Sequence, residues 1–493
     1  MSTQGLITRT IIGMEVHVQL QTRTKLFCGC ATEFAAEPNS RTCPVCLGLP
    51  GVLPVLNRRA VELAVLTGLA LNCEIASHTR WDRKSYYYPD LPKNYQISQY
   101  DLPLCRNGYF DLPTDAGPRR VRIIRAHLEE DAGKNIHDVG DCTLVDLNRT
   151  GTPLLEIVTE PDLTSADEAR AFAVELQRLV TYLGVSRGVM QKGQMRFEPN
   201  VNVAIVTDGV EHRTPISEIK NLNSFRAVRG AIDYEARRQV RDWLADNSYL
   251  QNQRPNENRG WNDDRSATEL QRGKEEARDY RYFPDPDLPP VRIQPAWLDQ
   301  IRARLPELPI ERRSRFVSDL GLSPADAETI VADRATADLF ESAVRAGGPP
   351  VGLARQFVNV WARLANERGG PIAALNVDAE RIGALAGLVD SGRISPTAAN
   401  RIAAAMLESH KSPDVLAEQL GLVRAADVEQ LTQWVDQAIA ANPGAVRTIL
   451  PNPKKARAGE GFLRGQVMRL SGGRADAKLA GELIAGRIRE MRT

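Results

Sequence analysis

Apolar and polar residues alternate through Gly13-Met-Glu-Val-His-Val-Gln-Leu20, with Met14, Val16 and Val18 on one side and Glu15, His17 and Gln19 on the other. A period of two is the mark of a strand with one buried face. Similar short strands are predicted over residues 119–124, 154–159 and 201–206. Helical spacing takes over between them. Residues 60–71 read as a strongly apolar helix that Asn57 can cap. Ser165-Ala-Asp-Glu168 is a capping box opening a helix with Phe172, Leu176, Leu179, Val180 and Leu183 on its apolar face, and Gly184 stops it. Ser224 opens another helix, carrying Phe225, Val228 and Ile232. Strands outnumber regular crossover helices, so the N-terminal part is expected to be α+β around a largely antiparallel sheet.

Residues 251–278 are polar and poor in large apolar side chains, which predicts a mobile excursion. Pro284-Asp-Pro-Asp-Leu-Pro-Pro290 then reads as a rigid linker. Beyond it the chain is rich in Ala and Leu and helical to its end, with turn signals at 347–350, 369–371 and 412–413. The expected division is an α+β domain over 1–292, an all-α domain over 293–408 and a helical tail over 409–493.

Composition narrows the function classes. A chain of 493 residues should hold two to four domains. Its 63 basic and 62 acidic residues leave no global field to drive it onto nucleic acid or membrane. No apolar run reaches the roughly 20 residues needed to span a bilayer. Strand-like sequence begins by Ile11, which leaves no room for a leader, so the expectation is a soluble, cytoplasmic protein. Charge does concentrate locally. Residues 454–493 carry ten Lys/Arg against four Asp/Glu, and the last helix sets Leu479, Leu483, Ile484 and Ile488 on one face with basic residues beside it. A solvated helix face and a nucleic-acid surface both explain that stripe.

Four of the seven cysteines are bunched as Cys28-Gly-Cys30 and Cys43-Pro-Val-Cys46. Two close pairs across a short loop match a structural Zn(Cys)4 knuckle, whose closed thiolate shell leaves no position for chemistry. The first pair has one intervening residue instead of the usual two, and metal-free packed thiols are the alternative. Cys73, Cys105 and Cys142 read as small core residues.

The acidic motifs carry the chemistry. Glu15 and His17 lie ~7 Å apart on one strand face, near enough to share a cation. A solvated edge strand is the plainer reading of that pair alone. His127-Leu-Glu129-Glu130-Asp131-Ala-Gly-Lys134 crowds three carboxylates together, and their repulsion favours a cation. Glu156 interrupts the apolar Leu154-Leu-Glu-Ile-Val158, where an unpaired carboxylate is costly to bury. Hard oxygen ligands plus one imidazole suit Mg²⁺, so these acidic motifs are expected to share one ion. Separate surface carboxylates and one buried ion pair remain the alternative. Lys84 and Lys93, in Asp82-Arg-Lys-Ser-Tyr-Tyr-Tyr-Pro-Asp-Leu-Pro-Lys93, and Arg196, in Met195-Arg-Phe-Glu-Pro-Asn-Val-Asn202, supply cations. Ser217-Glu-Ile-Lys-Asn-Leu-Asn-Ser224 adds a further polar set. Each reads equally well as a solvated loop, but beside bound Mg²⁺ they are what phosphoryl transfer needs. The chain has no P-loop, no dinucleotide fingerprint and no nucleophile elbow.

Through these motifs the chain strongly resembles the GatB component of the tRNA-dependent amidotransferase, the glutamyl/aspartyl-tRNA amidotransferase GatCAB. The resemblance is carried by Gly13-Met-Glu-Val-His-Val18, Lys25-Leu-Phe-Cys-Gly-Cys30, Cys43-Pro-Val-Cys-Leu-Gly-Leu-Pro-Gly51 and Tyr88-Pro-Asp-Leu-Pro-Lys-Asn-Tyr-Gln-Ile-Ser-Gln99. It continues through residues 127–134, Val145-Asp-Leu-Asn-Arg149, Glu218-Ile-Lys-Asn-Leu-Asn-Ser-Phe225 and Asp279-Tyr-Arg-Tyr-Phe-Pro-Asp-Pro-Asp287, with Gly461-Phe-Leu-Arg-Gly-Gln-Val-Met468 near the end.

The resemblance implies a kinase-like, cradle-shaped N-terminal domain. In it ATP and Mg²⁺ phosphorylate the side-chain carboxylate of Glu-tRNA(Gln) or Asp-tRNA(Asn), and ammonia then displaces phosphate. It places Glu15, His17, Glu130 and Glu156 at the Mg²⁺ positions, and Lys84 and Lys93 near the site and the ammonia path, with Arg196 counted among the catalytic residues. It implies an amidase subunit (GatA) to supply ammonia, a small subunit (GatC), and a non-discriminating aminoacyl-tRNA synthetase as a further partner. The tail resembles a tRNA-binding module, with Lys454, Lys455, Arg464 and Arg469 as phosphate contacts. Two departures stand out. Residues 196–202 differ from the family's usual Arg-Cys-Asp-x-Asn, and residues 251–272 fit poorly. The competing class is a non-catalytic, zinc-stabilised tRNA-binding module, with an editing hydrolase behind it.

Overall fold

A computed structural model describes residues 6–34, 37–114, 117–273, 280–424, 428–449 and 453–491. Contacts divide the chain into two units, Met1–Leu308 and Pro309–Thr493.

The first unit is built on one large sheet, ten-stranded among the described residues. Its main strands are β1 (Ile7–Gln19), β2 (Cys105–Leu112), β3 (Arg119–Glu130), β4 (Pro153–Thr159), β5 (Met195–Thr207), β6 (Ser217–Lys220), β7 (Glu257–Asn262) and β8 (Ala267–Gly273). They lie in the order β8-β7-β6-β5-β1-β4-β3-β2, with Glu74–Ile75 on β2 and Val210–Arg213 on β5. Every pairing is antiparallel except β6 with β7. The period-two run therefore sits at the centre of the sheet, where both neighbours fix its register. One face is the core: Val16, Val18, Leu128, Leu155 and Ile157 have no exposed surface. The other face carries Glu15, His17 and Gln19.

Three helices follow the sequence signals. These are α1 (Arg58–Ala70), capped by Asn57, α2 (Ala166–Tyr182), capped by Ser165, and α3 (Phe225–Ala245), capped by Ser224. In each, a side-chain oxygen accepts from an otherwise unpaired N–H of the first turn. Glu168 completes its box one residue early, accepting from Thr164 N at 2.8 Å. Gly184 ends the chain's turn out of α2 with φ +66°, a backbone angle that favours glycine.

Three expectations need correction. Residues 251–278 are not an excursion along their described length: β7 and β8 form a hairpin at the sheet edge. Their charged side chains concealed the strand pattern because Arg259 and Glu257 are spent on ion pairs. The proline-rich 284–290 segment is bound to this unit. Phe283–Pro284 pairs with Asp82–Arg83, and Arg83 donates to Asp285 and Asp287 at 2.8 and 2.9 Å. Cys142 is exposed on the short strand Cys142–Asp146, while Cys73 and Cys105 are in the core as expected.

The second unit is all helical among its described residues. Phe316, Phe340, Phe357 and Trp361 are fully buried in its first part, and Pro413–Gln419 packs on the helices before it. Helices over 428–441, 443–449, 453–470 and 477–490 close around Val435, Leu463, Val467 and Ile484.

Candidate active site and metal centre

Register decides which side chains meet. His17 stands opposite Glu156 on β4 and opposite Arg196 on β5, and Glu156 stands opposite His127 on β3. Alternation then brings Glu129, two residues from His127, to the same face. Ligand atoms of His17, Glu129 and Glu156 all lie within 4.8 Å of one another. His17 Nδ1 is 3.1 Å from Glu129 Oε1, and His127 Nε2 is 3.6 Å from Glu156 Oε2. Glu15 lies next along β1, accepting from Asn200 Nδ2 at 2.8 Å. Glu198, at the departure from the family pattern, is an ion-pair partner: Lys220 Nζ reaches Glu198 at 2.7 Å and Glu218 at 2.6 Å.

The electrostatics are those of a site short of positive charge. Burial, with the Glu156 and Glu218 charges behind it, raises the Glu15 carboxyl, and burial with the Glu129 charge raises Glu156. Burial alone would lower His17, yet its hydrogen bond to Glu129 and the surrounding carboxylates push it up to about 9. His127 goes the other way, lowered by burial to about 3, and is neutral. Lys84 is held charged against its burial by Glu129 and lies 4.8 Å over the Tyr280 ring. Arg196 donates to Asp131 at 2.8 Å, and Arg149 holds the same carboxylate at 3.1 Å. Two carboxylates that repel one another, with the His17 imidazole once it gives up its proton, fit a small divalent cation, and the charged Lys84 beside them fits phosphate oxygens.

Glu130 does not join this set. The strand turns it to the opposite face, where it pairs with Lys93 and accepts from Ile97 N at 2.9 Å. There Lys93 and Glu130 line a cavity of about 90 Å³ together with Lys25, Tyr95, Cys28 and Cys46.

That cavity abuts the cysteine knuckle. The Sγ atoms of Cys28, Cys30, Cys43 and Cys46 lie within 4.8 Å of one another. Hydrogen bonding from Cys28 lowers Cys46 to about 4, with Lys25 adding to the effect, while Cys28 is raised correspondingly. Burial raises Cys30 to about 11. Four converging sulfurs, one already favouring thiolate, fit a tetrahedral metal.

Known proteins share this sequence over most of its length. Residues 10–299 match the model of the GatB/GatE catalytic domain, and residues 338–488 match that of the GatB domain. The chain belongs to the GatB family. Among its relatives, the aspartyl/glutamyl-tRNA(Asn/Gln) amidotransferase GatB chain of Carboxydothermus hydrogenoformans is 45% identical over 98% of this chain and 99% of its own. Those of Geobacter sulfurreducens (46%, over 98% and 99%) and Rhodopirellula baltica (48%, over 91% of each) are similar. As a GatB-family chain it has an α+β domain with a four-cysteine cluster, followed by a helical C-terminal region.

Within this GatB chain, Glu129 is the site residue that motif reading passed over. The signal was present in the parity shared by Glu129 and His127, but only the register with Glu156 shows which neighbour faces the cluster. In the tail, Arg464 and Arg469 are exposed on the helix Pro453–Leu470, whose Leu463 and Val467 are buried. The side chains of Lys454 and Lys455 lie outside the described residues. No helix among the described residues is long and apolar enough to cross a membrane.

Proposed function

We propose that this chain activates the side-chain carboxylate of Glu-tRNA(Gln), Asp-tRNA(Asn) or both with ATP, for amidation by ammonia from a partner amidase. The convergence of His17, Glu129 and Glu156 on one face of the central sheet carries the reading. A carboxylate oxygen of the substrate attacks the γ-phosphorus of ATP and ADP leaves. Ammonia then attacks the acyl carbon, and phosphate departs with that oxygen. Mg²⁺ held by His17, Glu129 and Glu156 would neutralise the phosphates and stabilise the charge developing on the transferred group.

The chain's own side chains do the positioning. Lys84, kept charged by Glu129, stands ready for phosphate oxygens. Glu15 extends the acidic wall, fixed by Asn200. Lys220, held between Glu198 and Glu218, and Arg196, held by Asp131, present fixed positive charge on the same face. Lys93 and Glu130, on the opposite face, are assigned to the route by which ammonia arrives. Zinc on the four cysteines is structural, since four thiolates leave no open position. The partners in this reading are the amidase and small subunits of a heterotrimer, misacylated tRNA bound through the basic tail, and a non-discriminating synthetase. The setting is the cytoplasm, where charged tRNA is used.

The test is the assembled heterotrimer supplied with ATP, glutamine and each charged tRNA in turn. Phosphate release that depends on misacylated tRNA, with amide formed on at least one of the two, is expected. Tight tRNA binding with no phosphate release and no amide would instead mark a non-catalytic tRNA-binding module.

A further inference from the structure

Lys25 has no exposed surface at all. A buried ammonium needs an opposing charge. Among the described residues no carboxylate lies within ion-pair distance of it, and its Nζ donates instead to Cys46 Sγ at 3.5 Å. A divalent metal on four thiolates carries two net negative charges, which an ammonium at Cys46 Sγ offsets.

The backbone of the same residue ties it to the other half of the knuckle, for Lys25 N donates to Cys30 O at 2.9 Å. Its carbonyl accepts from Asn57 Nδ2, the cap of α1, at 3.3 Å. One residue thus reaches the Cys28–Cys30 turn through its main chain and the Cys43–Cys46 turn through its side chain.

We infer that Lys25 is a positioning residue for the four-cysteine metal centre: its ammonium compensates the thiolate shell through Cys46 while its backbone holds the first cysteine pair in place. The inference rests on the metal reading of the cysteines given above. It assigns the buried lysine to the metal and not to the Lys93–Glu130 pair across the cavity. Partners around a metal's own ligands tune affinity by about 10–100-fold, which sets the expected effect.

The experiment compares full-length wild type with Lys25→Met, Lys25→Gln and Lys25→Arg. Zn²⁺ affinity is read by competition with a chromophoric chelator, and Co²⁺ replaces Zn²⁺ to follow the thiolate-to-metal absorption band. Met and Gln should loosen Zn²⁺ about 10–100-fold and shift the cobalt band, whereas Arg should restore part of the affinity. One tightly held zinc per chain with equal affinity in wild type, Met and Gln overturns this inference alone. Should Met not fold, equal affinity of Gln and Arg does the same. A wild-type chain that binds neither metal overturns the metal reading beneath it.

Discussion

Asp131 binds two arginines at once, Arg196 at 2.8 Å and Arg149 at 3.1 Å, while only 4% of its side chain is exposed. Asp131→Asn leaves both guanidinium groups short of charge where the strand bearing Glu129 ends. Each arginine is about one-third exposed, so water screens part of the loss. A destabilisation of roughly 2–4 kcal/mol is expected, toward the lower side of what removing one partner of a fully buried pair costs. Denaturant melts of the two proteins measure it. At this scale residue types were legible and directions were not. The acidic motifs, Lys84 and the four cysteines were all visible in sequence, because a carboxylate in an apolar strand or two close cysteine pairs are rare without cause. Which of Glu129 and Glu130 faces His17 depends on pairing with β1 and β4, and that register is a long-range property.

Helix α3 and strands β6 to β8 show the same limit among elements. Glu235 on α3 has no exposed side-chain surface and is bound by Arg238 at 3.1 Å, Thr268 of β8 at 2.7 Å and Gln239 at 3.1 Å. Gln239 continues to Ser217 of β6 and to the Val201 carbonyl of β5. This network fixes the hairpin whose composition suggests mobility. A polar stretch in a strand reads as solvated until its partners on a distant helix are known. Burial alone would raise the Glu235 carboxyl, but hydrogen bonds and charge from Arg238 hold it below the ordinary 4.5. A depressed carboxyl contributes stability that is full above its unfolded value near 4.5 and is lost as pH falls through the lower folded value. Glu235→Gln should therefore destabilise by about 3–5 kcal/mol at pH 7, and the gap from wild type should narrow below pH 4.5. Paired melts across that window check both size and sign. A gap that widens with acid would contradict the assignment.

The molecule as a whole consists of an α+β unit that contains the acidic site and the cysteine knuckle, and a helical unit whose last four helices share their own core. Class and order of these parts were legible because hydrophobic period changes from two to helical near residue 290. The tRNA binding proposed for the tail rests on charge: Arg464 and Arg469 are exposed while Leu463 and Val467 are buried. Contacts to tRNA phosphates release counterions, so affinity should fall steeply with salt. Deleting the chain from Val428 onward spares Pro413–Gln419, which packs on the preceding helices. That deletion should weaken misacylated-tRNA binding and flatten its salt dependence, while amide formation survives at saturating tRNA. An unchanged affinity would make the stripe a solvated helix face.

The proposed carboxylate activation requires Glu129, and not Glu130, to face the cation. The measurement is ATP-derived phosphate release, dependent on misacylated tRNA, by heterotrimers carrying Glu129→Gln or Glu130→Gln. Loss of a ligand to the activating ion should lower release by Glu129→Gln on the order of 10²–10³-fold, with the fold and tRNA binding kept. Glu130→Gln should leave phosphate release with ammonium salts as nitrogen source much closer to wild type. Near-normal release by Glu129→Gln, or a greater loss in Glu130→Gln, would contradict the site described.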